Sequence, residues 1–118
     1  MITPIFRIFD VDKAIDFYIG YLGFQQDWQH TFDENMPKYI QVSLGDHVIH
    51  LSEHYGDGTP GSIVRVKIDD VKKYHAALTE KNYKYARPGL HKTDWNTLEV
   101  AIHDPFSNKI VFYEDLQS

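Results

Sequence analysis

Short blocks of alternating or helically spaced apolar residues, separated by polar turns, run along the whole chain and predict its elements. Pro4 to Phe9 is an apolar run suited to a strand. Asp10 then caps a helix reaching about Tyr21, with Val11, Ala14, Ile15, Tyr18 and Leu22 at helical spacing and Gly23 as the stop. Residues 24–32 read as a strand on which Gln26, Trp28, His30 and Phe32 share a face, and 33–37 as a polar loop. Lys38 to Leu44 alternates, with Ile40, Val42 and Leu44 on one side and Tyr39, Gln41 and Ser43 on the other. Gly45-Asp46 makes a hairpin turn into a strand over 47–54. After the Gly- and Pro-bearing stretch 55–62, the pattern predicts strands at 63–68, about 83–87, 98–103 and 109–115, and a helix at 70–81.

The two halves carry the same order. "IFDVDKAIDFY" (8–18) lies over "IDDVKKYHAAL" (68–78) at a shift of 60, and "VIHLSE" (48–53) over "KIVFYE" (109–114) at a shift of 61. Each half is β-α-β-β-β: module one over about 1–54, a linker over 55–62 and module two over 63–118, together one α+β domain with a curved mixed sheet and its helices outside. One helix covers only one face of so small a sheet, so the other face must bury or bind something.

Composition narrows the function. With 118 residues and no cysteine, disulfide frameworks and thiolate chemistry are excluded. A formal net charge of −5 argues against a general nucleic-acid binder. No apolar run approaches the ~20 residues of a membrane span, and the first residues lack a signal-peptide pattern. The expectation is a cytoplasmic protein that contacts neither nucleic acid nor membrane.

"HVIHLSEH" (47–54) holds three of the seven histidines, and His50 to His54 spells H-x-x-E-H. A zinc-protease reading requires a helix, which alone brings both histidines to one face. In a strand, Val48, His50, Ser52 and His54 share a face and Glu53 points the other way. The strand period therefore opposes a metal reading. Trp28 and Trp95 offer flat walls, the latter in the polar loop 88–97. Tyr39 and Gln41 join them from the polar side of their strand. Arg7 and Arg65, with Thr3, Ile5, Ile63 and Lys67, take the same alternating phase on the first strand of each half. Arg65 suits a polar ligand or an ion pair with Glu53 or Glu99.

"DVDKAIDFYIGYLGF" (10–24) and "DPFSNKIVFYE" (104–114), on the doubled β-α-β-β-β order, resemble the vicinal oxygen chelate superfamily of glyoxalases, extradiol dioxygenases and bleomycin resistance proteins. Thr3-Pro4, the short step to Asp10 and Trp95 make the last group the nearest in likeness. The resemblance implies that the metal-ligand positions fall on Thr3, His50, Ile63 and Val111, a set with one usable ligand, hence no metal and no other cofactor. It further implies a homodimer that sequesters a drug-like ligand, such as a bleomycin-like antibiotic, in a groove, giving antibiotic resistance without catalysis. With the residues read from strand alternation, the candidate ligand contacts are His50, Ser52, His54, Trp95, Arg65, Trp28, Tyr39, Gln41 and Arg7. The alternative is a glyoxalase-like lyase, isomerase or dioxygenase using a non-standard metal site around His50, His54 and Glu53.

Overall fold

The computed structural model describes residues 1–31 and 33–116. Phe32, expected on the face of Trp28, lies outside them. Each half folds as β-α-β-β-β and builds its own mixed four-stranded sheet. In the first, β1 (Ile5–Arg7), β4 (His47–Ser52), β3 (Tyr39–Leu44) and β2 (Gln25–His30) lie in that order. In the second the order is β5 (Ile63–Lys67), β8 (Lys109–Asp115), β7 (Thr97–His103) and β6 (Leu90–Lys92). The first strand of each half runs parallel to the last, and the remaining pairs are antiparallel. No helix among the described residues is long and apolar enough to cross a membrane.

The repeat holds at the level of single hydrogen bonds. Asp10 caps α1 (Val11–Ile15) through the Lys13 amide, and Asp70 caps α2 (Val71–Glu80) through the Lys73 amide. Ile8 N–H donates to Ser52 O, as Ile68 N–H does to Tyr113 O. Glu53 accepts from the Lys38 amide, while Glu114 accepts from the Val71 amide. The Arg65–Glu99 ion pair, 2.8 Å long, is the internal pairing open to Arg65 from sequence.

The chain divides into two compact units, residues 1–62 with 104–108, and residues 63–103 with those from Lys109 onward. In the first unit, α1 continues as a π-helical stretch, Asp16–Tyr21, in which Leu22 N–H reaches back to Phe17 O. The wider winding buries Phe17, Tyr18, Tyr21 and Leu22 together with Ala14. Phe17 and Tyr21 therefore join a core that the α-helical stripe had assigned to Val11 and Ile15, both only half-buried. Tyr18 OH donates to Asp104 Oδ2 at 2.7 Å, while Asp104 also accepts from the Phe106 and Asn108 amides and the Asn108 side chain. Burial first, then the Asp104 charge and its hydrogen bond, push the Tyr18 phenol well above its usual pKa. Ile40, Val42, Ile49 and Leu51 fill the apolar side of the first sheet, as alternation requires.

Two expectations change. Residues 83–87 form no strand: Lys84 and Tyr85 lie in a turn, and the strand of this region is β6, inside the predicted loop. Tyr83 and Tyr85 meet edge to face instead, and Tyr85 stays exposed. In β2, the register slips between Gln26 and Trp28: Gln26 faces Val42, whereas Trp28 faces Gln41. This β-bulge places the extra residue, Asp27, between them and turns Gln26 away from the face of Trp28 and His30.

The stretch 55–62 is tied down at its start. Ser52 Oγ donates to Asp57 Oδ2 at 2.8 Å. Gly58, at φ +74, lies so near β1 that a Cβ there would stand 3.0 Å from the Ile5 carbonyl oxygen.

Candidate functional site

The polar side of the first sheet brings together most of the residues singled out from the sequence. His50 stands opposite Gln41 on β3 and Ile5 on β1, with Ser52 opposite Tyr39 and Arg7. Trp28, re-aimed by the bulge, stacks on Tyr39 with the rings 6.0 Å apart and 13° from parallel. His50 meets both rings edge-on, at 5.4 Å from Trp28 and 5.1 Å from Tyr39. Trp28 is 42% exposed, so this aromatic platform is open to solvent.

The polar atoms beneath the platform form one directed chain. Tyr39 Oη lies 2.8 Å from His50 Nδ1, and His50 Nε2 lies 3.0 Å from Gln41 Oε1. Gln41 Nε2 donates to Asp27 Oδ2 at 3.1 Å, and Ser43 Oγ to Asp27 Oδ1 at 3.0 Å. A carboxylate only accepts, so Gln41 turns its amino group to Asp27 and its oxygen to His50. His50 must then carry its proton on Nε2, leaving Nδ1 to accept from the Tyr39 hydroxyl. Burial lowers the His50 pKa, which favours this neutral ring. Burial, then the Asp57 charge, raises that of Tyr39 and keeps its proton in place.

This geometry does not fit a divalent ion at the implied ligand positions. Ile63 and Val111 offer hydrocarbon, and the one free lone pair of the His50 ring is engaged by Tyr39. His50–Ser52 is strand, not the helix that an H-x-x-E-H protease needs, and Glu53 is committed to the Lys38 amide. Among the described residues no group of three or more His, Asp or Glu could hold a metal ion.

The remaining predicted residues divide between the two units. Ser52 is fully buried; its Oγ also accepts from the His54 amide, so it organises the start of 53–57. The His54 ring lies 6.4 Å from that of Tyr39, at the edge of the platform. Arg7 stacks its guanidinium 4.7 Å over Phe9, and its Nη1 is buried with no hydrogen-bond partner among the described residues. In the second unit, Arg65 pairs with Glu99 and lies 4.2 Å over the Tyr113 ring. Glu99 titrates below its ordinary value because Arg65 donates to it, aided by Thr97, the Arg65 charge and Trp95 and opposed by burial. Trp95 is 67% exposed, so most of its ring is open to solvent.

Sequence reasoning missed Asp27. Its signal was indirect: Gln41 and Ser43 project donors from one face of β3, and the nearest acid on the neighbouring strand is Asp27. By repeat position, Tyr39, Gln41 and His50 correspond to Glu99, Ala101 and Val111, so the directed chain is built in the first unit alone.

The fold is that of the bleomycin resistance proteins. A bleomycin-binding protein solved with bleomycin is 18% identical, with 98% of each chain covered and a TM-score of 0.72. A bleomycin resistance determinant encoded on the transposon Tn5 is 18% identical, covering 98% of this chain and 97% of that one, at a TM-score of 0.76. TioX from Micromonospora sp. ML1 is 17% identical, with 98% of each chain covered and the same TM-score of 0.76. No curated protein matches the chain. The model of a family described as "Glyoxalase superfamily protein" matches residues 1–118, and this chain therefore belongs to the glyoxalase superfamily.

Proposed function

We propose that this protein is a metal-free binder of a planar, drug-like small molecule, acting by sequestration in the manner of the bleomycin resistance proteins. The observation that carries the reading is the solvent-open Trp28–Tyr39 stack, backed by the His50–Gln41–Asp27 chain. Flat aromatic walls with a few oriented polar atoms are how small-molecule sites combine affinity with orientation. His50, Tyr39, Gln41 and Trp28 form the centre of the site, with His54 at its edge and Ser52 supporting it from below. Arg7 in the first unit, and Arg65 and Trp95 in the second, are further candidate ligand contacts. In this reading the whole chain is one ligand-binding domain that works as a cytoplasmic homodimer and contacts neither nucleic acid nor membrane.

The bleomycin-binding relative supplies the first ligand to try. Isothermal titration with metal-free bleomycin should give saturable binding that Trp28→Ala weakens about tenfold, the loss of roughly 1.4 kcal/mol of ring contact. Expression should raise the drug tolerance of a sensitive host. Absence of both binding and protection removes bleomycin as the ligand. A stoichiometric divalent ion that survives dialysis and is lost on His50→Ala would overturn the metal-free reading.

A further inference from the structure

The direction of the hydrogen-bond chain restricts what the platform can hold. Tyr39, His50, Gln41 and Ser43 possess five polar protons between them. Four are spent inside the chain: Tyr39 to His50, His50 to Gln41, Gln41 to Asp27 and Ser43 to Asp27. What remains unspent is lone pairs, on the Tyr39 oxygen, on Ser43 and on the Asp27 carboxylate, with one N–H of Gln41. Among these four residues, a ligand that brings only acceptors would find a single donor, the second Gln41 N–H.

We infer that this face selects flat aromatic ligands that carry their own hydrogen-bond donor, an aryl amine or amidinium-type N–H. The ring lies against Trp28, and the donor is directed at the Tyr39 oxygen and the Asp27 carboxylate. The inference rests on the small-molecule-binding reading above and specifies its ligand chemistry. Gln41 is the positioning residue. It does not need to touch the ligand, but by showing Asp27 its amino group and His50 its oxygen it fixes which His50 nitrogen holds the proton, and hence which way Tyr39 points.

Other charged and titratable groups border the platform. His30 on β2 stands opposite Tyr39, and His54 and Asp57 follow β4. The nearest cation on β1, Arg7, is drawn over Phe9. Asp27 is therefore the carboxylate that shares the platform with an aromatic wall, and the bulge is what put it there.

Three acridines of one ring shape separate the possibilities, titrated by fluorescence into the full chain at pH 7.5: 9-aminoacridine, unsubstituted acridine and acridine-9-carboxylate. The amine should bind about tenfold or more tighter than the carboxylate, the scale of one charge-assisted hydrogen bond. Asp27→Asn and Tyr39→Phe should each narrow that preference, read as the ratio of the two affinities measured in the same variant. Gln41→Leu should narrow it too, and 15N NMR should then show His50 no longer confined to the Nε2–H tautomer. Equal or tighter binding of the carboxylate, or a preference untouched by Asp27→Asn and Tyr39→Phe, overturns the donor rule while leaving the platform as a binding site. If none of the three binds, both the donor rule and the small-molecule reading of this face fall.

Discussion

Tyr39 Oη stands 2.8 Å from His50 Nδ1, and this contact can have only one direction while His50 gives its Nε2 proton to Gln41. A phenol and an imidazole that could have served as acid and base are thereby held as a neutral, oriented pair. Within the pair, neither ring is left as a base facing outward.

Acid should destabilise the protein through His50. Burial lowers its folded-state pKa, so as the pH falls below about 6.5 the unfolded chain takes up this proton first. Stability therefore declines from about pH 6.5 downward and levels off once the folded form is also protonated. His50→Gln takes up no such proton, so its urea midpoint should lose less than wild type between pH 7.5 and 5. Parallel pH profiles for the two proteins would contradict the buried, neutral ring.

Removing the Tyr39 hydroxyl should cost about 1 kcal/mol, the usual value of one partly buried hydrogen bond. Tyr39→Phe keeps the ring stack with Trp28, so its thermal midpoint should drop by only a few degrees. In the same variant the His50 pKa, followed by NMR, should rise, because the donor that favours the neutral ring is gone.

Asp104 should be far less tolerant. It accepts from Tyr18, from two backbone amides and from the Asn108 side chain, all in a buried setting. Asp104→Ala leaves those donors without an acceptor and should cost about 3 kcal/mol or more, against about 1–2 kcal/mol for Tyr18→Phe. Chemical denaturation of both variants decides it; equal losses would mean the turn does not depend on the carboxylate.

Gly58→Ala should be worse than Gly56→Ala. Both glycines have positive φ, but a Cβ at 56 meets nothing within 4 Å, whereas at 58 it meets the Ile5 carbonyl oxygen at 3.0 Å. The backbone penalty of roughly 1 kcal/mol is common to both, so any excess at 58 measures how firmly this segment is pressed onto β1.

What the sequence revealed depended on whether period alone carried the information. Asp10 caps its helix as read, Asp70 repeats it one module later, and Tyr39, Gln41 and His50 share a face because alternation in β3 and β4 is unbroken. Gln25 to His30 is different. Five polar residues surround one Trp, so no apolar phase exists against which a slip could be noticed, and the bulge was invisible. The strand placed at 83–87 failed because alternating tyrosines resemble a strand edge, while the real β6 is three residues with one apolar side chain. The π-helical winding likewise leaves no mark in a stripe that fits α spacing nearly as well.

The bulge carries an evolutionary consequence. Asp27 is the one residue of β2 that has no opposite number on β3, since the pairing passes from Gln26–Val42 to Trp28–Gln41. Deleting that single codon would leave every other cross-strand partner where it is and keep the indole on the platform, while erasing the negative charge. Ligand polarity could thus be gained or lost in one mutational step, independently of the aromatic wall, so relatives sharing this platform can diverge in the charge they recognise.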